Sequence, residues 1–164
     1  MSIRLIVDTT TQTLCVLDND TIIANFSIST AKNGTGQLAD TGCTPLGKHI
    51  IAQKIGGAYP INAVFVGRQF TGEIYDVALG QSHPDRDWIL SRILWLKGTE
   101  YGHNLCKTAD GKSCDTYARY IYIHGTPDSE PMGVPLSHGC VRMRNEDVVW
   151  LYEQVDIGTS VEII

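Results

Sequence analysis

At 164 residues, with 43% apolar and 19% charged side chains, the chain has the size and balance of one globular domain with a buried core. Its formal net charge is −5 and it carries no Lys/Arg-rich run, which argues against nucleic acid and anionic membrane surfaces as partners. No stretch approaches the roughly 18 apolar residues of a membrane span.

In MSIRLIVD the apolar run after Arg4 ends at Asp8, short of the roughly 7–15 residues of a secretory h-region. Met1-Ser2 leading straight into a strand therefore reads as a start without an export signal, and the expected location is the cytoplasm. Ile3, Leu5 and Val7 alternate with Arg4 and Ile6, as in a half-buried strand. TTTQ turns the chain, LCVLD follows, and Asp18-Asn19-Asp20 leads into TIIANFSIS. These three segments predict a β-meander, with Cys15 half-buried on its middle strand. KNGTGQLADTG is a Gly-rich loop. TPLGKHIIAQKIG resumes strand character, and AVFVGRQF with GEIYDVAL reads as a further strand pair.

ILSRILWLKG fits a helix or an extended buried strand; we read Ile89 to Leu96 as a strand. RNEDVVWLYEQV predicts a helix capped by Asn145, with Glu146 and Asp147 in its first turn. Val148, Leu151, Tyr152 and Val155 form its apolar stripe, and TSVEII closes with a strand. The expected fold is mostly β, one domain over residues 1–164 with a short helix near the C-terminus.

The five cysteines, Cys15, Cys43, Cys106, Cys114 and Cys140, are too widely spaced for a disulfide framework, although Cys106 and Cys114 bracket a short polar loop and could pair. The chemical signal lies in two segments. YIYIHGT places Tyr120, Tyr122 and His124 on one strand face before Gly125, and PLSHGCVRM carries Ser137, His138, Gly139, Cys140 and Arg142. Thiol catalysis needs a histidine near the sulfur, an acceptor that orients that histidine, and donors for the developing oxyanion. Gly139 beside Cys140 suits close approach of a substrate carbonyl to the backbone. Two other readings of these residues stay open. Each could be a structural core residue, or His124, His138 and Cys140 could chelate zinc, although structural zinc sites usually offer paired ligands.

His124-Gly125 in "YIHGT" and Ser137 to Arg142 in "SHGCVR" resemble the L,D-transpeptidase catalytic domain, the YkuD-like family of murein enzymes. "STAKNG", "TPLGKHII" and "ILSRILWLKG" also resemble family segments, so the likeness spans nearly the whole chain. The resemblance implies a β-sandwich-like fold, Cys140 as nucleophile, His124 as general base and the Gly125 carbonyl as its orienter. It implies the N–H groups of Gly139 and Cys140 as oxyanion donors, with Ser137 and His138 shaping the pocket. Arg142 is expected to meet a substrate carboxylate or, alternatively, to form a structural ion pair. Tyr101 and Tyr122 are candidates for the pocket wall, or for ordinary strand packing.

The implied substrates are murein stem peptides, cut between a diamino acid and D-Ala through an acyl-thioester. No cofactor or metal is expected, and carbapenem-type β-lactams are expected to acylate Cys140. With no export segment read, the expected activity is a cytoplasmic L,D-carboxypeptidase of murein recycling, with a local basic patch around Arg142, Arg144 or Arg92. The alternatives are an exported L,D-transpeptidase and a non-catalytic murein-fragment binding protein.

Overall fold

The structure is a computed structural model that describes residues 2–164; Met1, on which the reading of the chain's start rests, lies outside them. Ten strands and two short helices follow one another as β1 (Ile3–Asp8), β2 (Thr13–Asp18), β3 (Thr21–Ser29), β4 (Gly47–Ile55), β5 (Ala63–Val66), β6 (Gln69–Ile74), α1 (Val77–Ser82), β7 (Ile89–Gly98), β8 (Tyr122–Thr126), β9 (Val141–Arg144), α2 (Asn145–Gln154) and β10 (Ser160–Ile163). The strand order is β4-β10-β1-β2-β3-β9-β8-β7-β5-β6, and β4 also pairs with β7. That last pairing joins the two flanks, so the sandwich-like body is one continuous hydrogen-bonded sheet wrapped around its core. Closure of this kind leaves β4 without an open edge, while β6, paired only with β5, remains an edge strand. Among the described residues, no helix is long and apolar enough to cross a membrane.

Period-2 alternation builds the core. Leu5 and Val7 of β1, Leu14 and Val16 of β2, and Val161 and Ile163 of β10 turn inward and are buried. Val148, Leu151 and Val155 of α2 join the same cluster, while Tyr152 of the predicted stripe is only partly buried against it. Each of the large aliphatic side chains contributes about 1.5–3 kcal/mol of transfer free energy. β7 explains its own ambiguity in the sequence: Leu94 and Leu96 face the main core, while Ile93 and Trp95 face a second cluster with Ala63, Phe65 and Tyr122. A strand buried on both faces shows no alternation to read.

Two expectations change. In GEIYDVAL the strand ends at Ile74, and Val77–Ser82 is helical. The Asp76 carboxylate accepts the Leu79 N–H at 2.7 Å, a local cap that satisfies an orphan donor and starts the turn. Asn145 does not cap α2. It is the first helical residue, 2% exposed, and its amide is used inside the fold.

A buried histidine ties the segment between β7 and β8 to β4. His49 on β4 is 1% exposed, with Nδ1 2.9 Å from the Gly47 carbonyl and Nε2 2.8 Å from Thr116 Oγ1. A carbonyl only accepts, so Nδ1 carries the proton and Nε2 accepts the Thr116 hydroxyl. Burial pulls the His49 pKa from its usual 6.5 down to about 4, against the opposing effect of the Gly47 hydrogen bond. A depressed folded pKa means the unfolded chain takes up the proton first. Stability is therefore full above pH 6.5 and falls as the pH drops towards 4. Urea unfolding across this window should show a slope of up to about 1.4 kcal/mol per pH unit. His49→Gln should reduce that slope, leaving the share of the other buried histidine, His124; an unchanged slope would place the acid sensitivity elsewhere.

Candidate active site

β8 and β9 run parallel, with Ile123 opposite Val141 and His124 opposite Arg142. Cys140 immediately precedes β9, so this register brings the ends of the two chemical motifs to one place. Strand β7 flanks β8 on the other side, pairing Leu90 with Gly125 and Ile93 with His124 across an irregularity at Ser91 and Arg92. A cleft of about 220 Å³ opens there, lined among others by Tyr120, Tyr122, His124, Ser137, His138 and Cys140.

His124 is 2% exposed and its Nδ1 lies 2.6 Å from the Gly125 carbonyl oxygen. The carbonyl has no proton to give, so Nδ1 is the donor and Nε2 keeps its lone pair. Gly125 is wedged: a Cβ there would lie 2.5 Å from Asn145 Oδ1 and 2.6 Å from the Leu90 carbonyl oxygen. Glycine is required here by close approach. Asn145 completes the brace: its Nδ2 donates to the Thr126 carbonyl at 2.8 Å and its Oδ1 accepts the Ser91 hydroxyl at 2.6 Å. Ser91 sits at φ +71°, in the left-handed region, and its Oγ also accepts the Asn62 N–H at 2.9 Å.

Cys140 Sγ accepts the Tyr122 N–H at 3.3 Å and donates to the Tyr120 carbonyl at 3.4 Å. Among the described residues no hydrogen bond joins it to His124, so the thiol rests turned towards Tyr120. Burial is the largest influence on both groups. It pushes the Cys140 thiol up to about 12, against the Tyr122 N–H, Arg142 and Arg119, which favour the thiolate. It lowers the His124 imidazole, against the raising effect of the Gly125 hydrogen bond. At neutral pH the resting pair is thiol plus neutral imidazole.

The turn that carries the cysteine is tied from within and from behind. Ser137 Oγ donates to the Cys140 carbonyl at 2.6 Å and accepts the Gly139 N–H at 3.2 Å. Thr44 Oγ1, in the Gly-rich loop region, donates to the Gly139 carbonyl at 2.9 Å. Of the two expected oxyanion donors, the Gly139 N–H is thus already engaged by Ser137. The Cys140 N–H has no acceptor among the described residues.

Other expectations resolve differently. Arg142 is 8% exposed, with Nη2 3.3 Å from Asp87 and Nη1 3.8 Å from Glu130. The ion-pair alternative is therefore what the fold builds, because the strand register turns Arg142 beside two carboxylates. His138 Nδ1 lies 3.4 Å from the same Asp87. The expected basic patch does not assemble: Arg92 is buried, donating to the carbonyls of Tyr59 and Ser91, while Arg144 is exposed. Tyr101 is 81% exposed and lines a separate cavity with His103 and Lys107. Glu100 and Asn104 tie its turn to Lys48 of β4, which holds it away from the cleft. Tyr122 does line the cleft. Asp87 and the Ser91–Asn145 brace escaped the sequence reading, since Asp87 and Ser91 come from segments with no motif spacing; Tyr120, read on the face of Tyr122 and His124, lines the cleft with them. Cys106 and Cys114 are both free thiols, and among the described residues no three His, Cys, Asp or Glu side chains converge as a metal-binding group.

The resting geometry sets a reactivity profile. Alkylation of Cys140 by iodoacetamide, followed by mass spectrometry of the peptide that carries it, should rise about tenfold per pH unit through pH 8–10, tracking the thiolate fraction. A plateau near neutral pH would instead reveal a preformed thiolate–imidazolium pair.

Comparison with known proteins gives this geometry a family. Residues 2–163 match the YkuD model, described as the L,D-transpeptidase catalytic domain. A probable L,D-transpeptidase, YbiS of Escherichia coli K12, is 50% identical over a stretch covering 29% of this chain and 17% of that protein. The match therefore spans about a sixth of that relative's length. Solved structures share the fold at low identity. One is L,D-transpeptidase 3 of Mycobacterium tuberculosis with a faropenem-derived adduct (TM-score 0.58, 17% identity, 99% of this chain and 60% of that one). Another is the transpeptidase LdtMt1 in complex with imipenem (TM-score 0.58, 17% identity, 99% and 59%). With the family model matched along nearly its whole length, this chain belongs to the L,D-transpeptidase catalytic domain family.

Proposed function

We propose that the chain is an L,D-carboxypeptidase that uses Cys140 to remove D-Ala from murein tetrapeptides in the cytoplasm. The observation that carries the acyl-transfer chemistry is the shared cleft of Cys140 and His124, with Nδ1 of the imidazole committed to Gly125 and Nε2 left as a base. The free state of all five cysteines suits a reducing compartment.

In this reading the thiol leaves the Tyr120 carbonyl and passes its proton to His124 Nε2 as Sγ attacks the carbonyl carbon of the diamino acid. Burial makes a free thiolate costly, so transfer and attack run together. The tetrahedral oxyanion meets the Cys140 N–H. The Gly139 N–H joins it by exchanging its 3.2 Å bond to Ser137 for the stronger charged acceptor. Collapse breaks the C–N bond, and the imidazolium gives its proton to the departing D-Ala amine. Water then attacks the thioester carbon, His124 takes the water proton, and the C–S bond breaks to return the thiol and release the tripeptide. Tyr122 walls the cleft, and Asp87 holds Arg142 and His138 in place.

A second reading, transpeptidation, has its own support. A cavity of about 270 Å³, lined by Asp40, Ser113 and Arg119, shares Tyr120 and His138 with the cleft and offers room for an acceptor amine. Water and amine use the same acyl-enzyme, so the products separate them. With purified disaccharide-tetrapeptide and an added D-amino acid, the carboxypeptidase reading expects tripeptide and free D-Ala to dominate. Predominant exchange or cross-linked product would establish the second reading. A carbapenem should leave one covalent adduct on the protein and none on Cys140→Ala. An adduct that persists in this variant would move the nucleophile elsewhere.

A further inference from the structure

The cations around the cleft are not equivalent. Arg142 is held by Asp87 and Glu130. Arg119 spends its guanidinium on the carbonyls of Gly36, Gln37 and Cys43. Arg68 has no carboxylate within ion-pair reach among the described residues. Its Nη1 donates to Tyr122 Oη at 3.1 Å. Its remaining N–H groups have no acceptor among the described residues.

Arg68 is held out by its backbone and held still by its neighbours. Val66 pairs with Gln69, so β5 and β6 are joined by the two-residue turn Gly67-Arg68. Both residues have positive φ, +55° and +66°. Such turns favour glycine or asparagine, and an arginine there carries a conformational cost. The guanidinium carbon lies 5.0 Å from the ring centroids of both Trp95 and Tyr120. Trp95 in turn is stacked on Tyr117 at 4.0 Å, meets Tyr122 edge-on at 5.6 Å, and donates from Nε1 to the Tyr117 carbonyl. Tyr120 and Tyr122 are the residues whose backbone groups hold Cys140 Sγ, and both line the cleft. An unpaired, pre-oriented guanidinium therefore stands against Tyr120 and Tyr122, two residues that line the nucleophile's cleft.

We propose that Arg68, rather than Arg142, is the carboxylate-binding residue of this site, receiving one carboxylate of the acyl-donor peptide. The proposal rests on the peptide-acyl-transfer reading. A guanidinium offers paired N–H donors that match a carboxylate edge, and its aromatic support lowers the entropy lost on binding. A murein tetrapeptide brings more than one carboxylate, and the geometry fixes the chemistry of the contact rather than which of them makes it.

The test is peptide binding to Cys140→Ala by calorimetry, with and without Arg68→Asn, using the tetrapeptide and versions with each carboxylate amidated in turn. Asparagine tolerates the positive φ, so the turn survives while the guanidinium is lost. The expected result is an affinity loss of about tenfold or more in Arg68→Asn for the parent peptide. That loss should shrink to within about twofold for one amidated peptide, which identifies the carboxylate. Arg68→Lys, keeping charge without the fork, should fall between. An equal loss for every peptide would leave Arg68 as a prop for the aromatic wall and overturn the proposal, as would no loss at all. Should Arg68→Asn fail to fold, Arg68→Lys across the same peptides separates the same outcomes. Turnover by the unmodified chain is followed in parallel. Turnover without Arg68-dependent binding overturns this proposal alone; Arg68-dependent binding without turnover overturns the functional reading alone.

Discussion

The hydrogen bond from His124 Nδ1 to the Gly125 carbonyl is the contact on which the chemistry of this fold depends. It fixes the tautomer, and with it which nitrogen can act as a base. The bond requires a carbonyl held in one direction, and the surroundings supply that in layers. Gly125 is packed between Asn145 and Leu90 too closely for any side chain. Asn145 clamps the next carbonyl, and Ser91, strained in a bulge of β7, holds Asn145. The closed sheet makes this arrangement stiff, since β7, β8 and β9 are neighbours in a sheet wrapped on a common core.

Burial decides the electrostatics of the resting state. Both His124 and Cys140 are held in their neutral forms by loss of water, and the nearby charges of Arg142, Arg119 and Asp87 do not reverse this. A buried ion pair without further hydrogen bonds would cost more than it returns. The thiol accordingly rests as a donor to Tyr120, and in the proposed mechanism its ionisation is deferred to the moment when a substrate carbonyl can accept the sulfur. In the proposed mechanism this storage protects the cysteine between turnovers, because oxidation follows thiolate character.

The sequence was informative where one face of a strand is buried and the other is wet. Leu5, Val7, Leu14 and Val16 announced their strands in that way. The motifs around His124 and Cys140 were legible because glycine, histidine and cysteine cluster where a plain core would carry none. The remainder depended on contacts between distant segments. Asn145 has the residue type of a helix cap, but the core supplies it with Ser91 and Thr126 as partners. The helix at Val77–Ser82 rests on the single carboxylate of Asp76 and has no buried face to create a period. Tyr101 shares its residue type with Tyr122, yet the turn that carries it is anchored to β4 and faces solvent. Asp87 lines the cleft from a loop, Arg68 meets its Tyr120 and Tyr122 from a hairpin tip, and no spacing along the chain connects either to it.

The most direct measurement is the ¹⁵N spectrum of the His124 side chain at neutral pH in the unliganded protein. The account predicts a neutral ring with its proton on Nδ1 and a pyridine-type Nε2. A proton on Nε2, or an imidazolium, would contradict it.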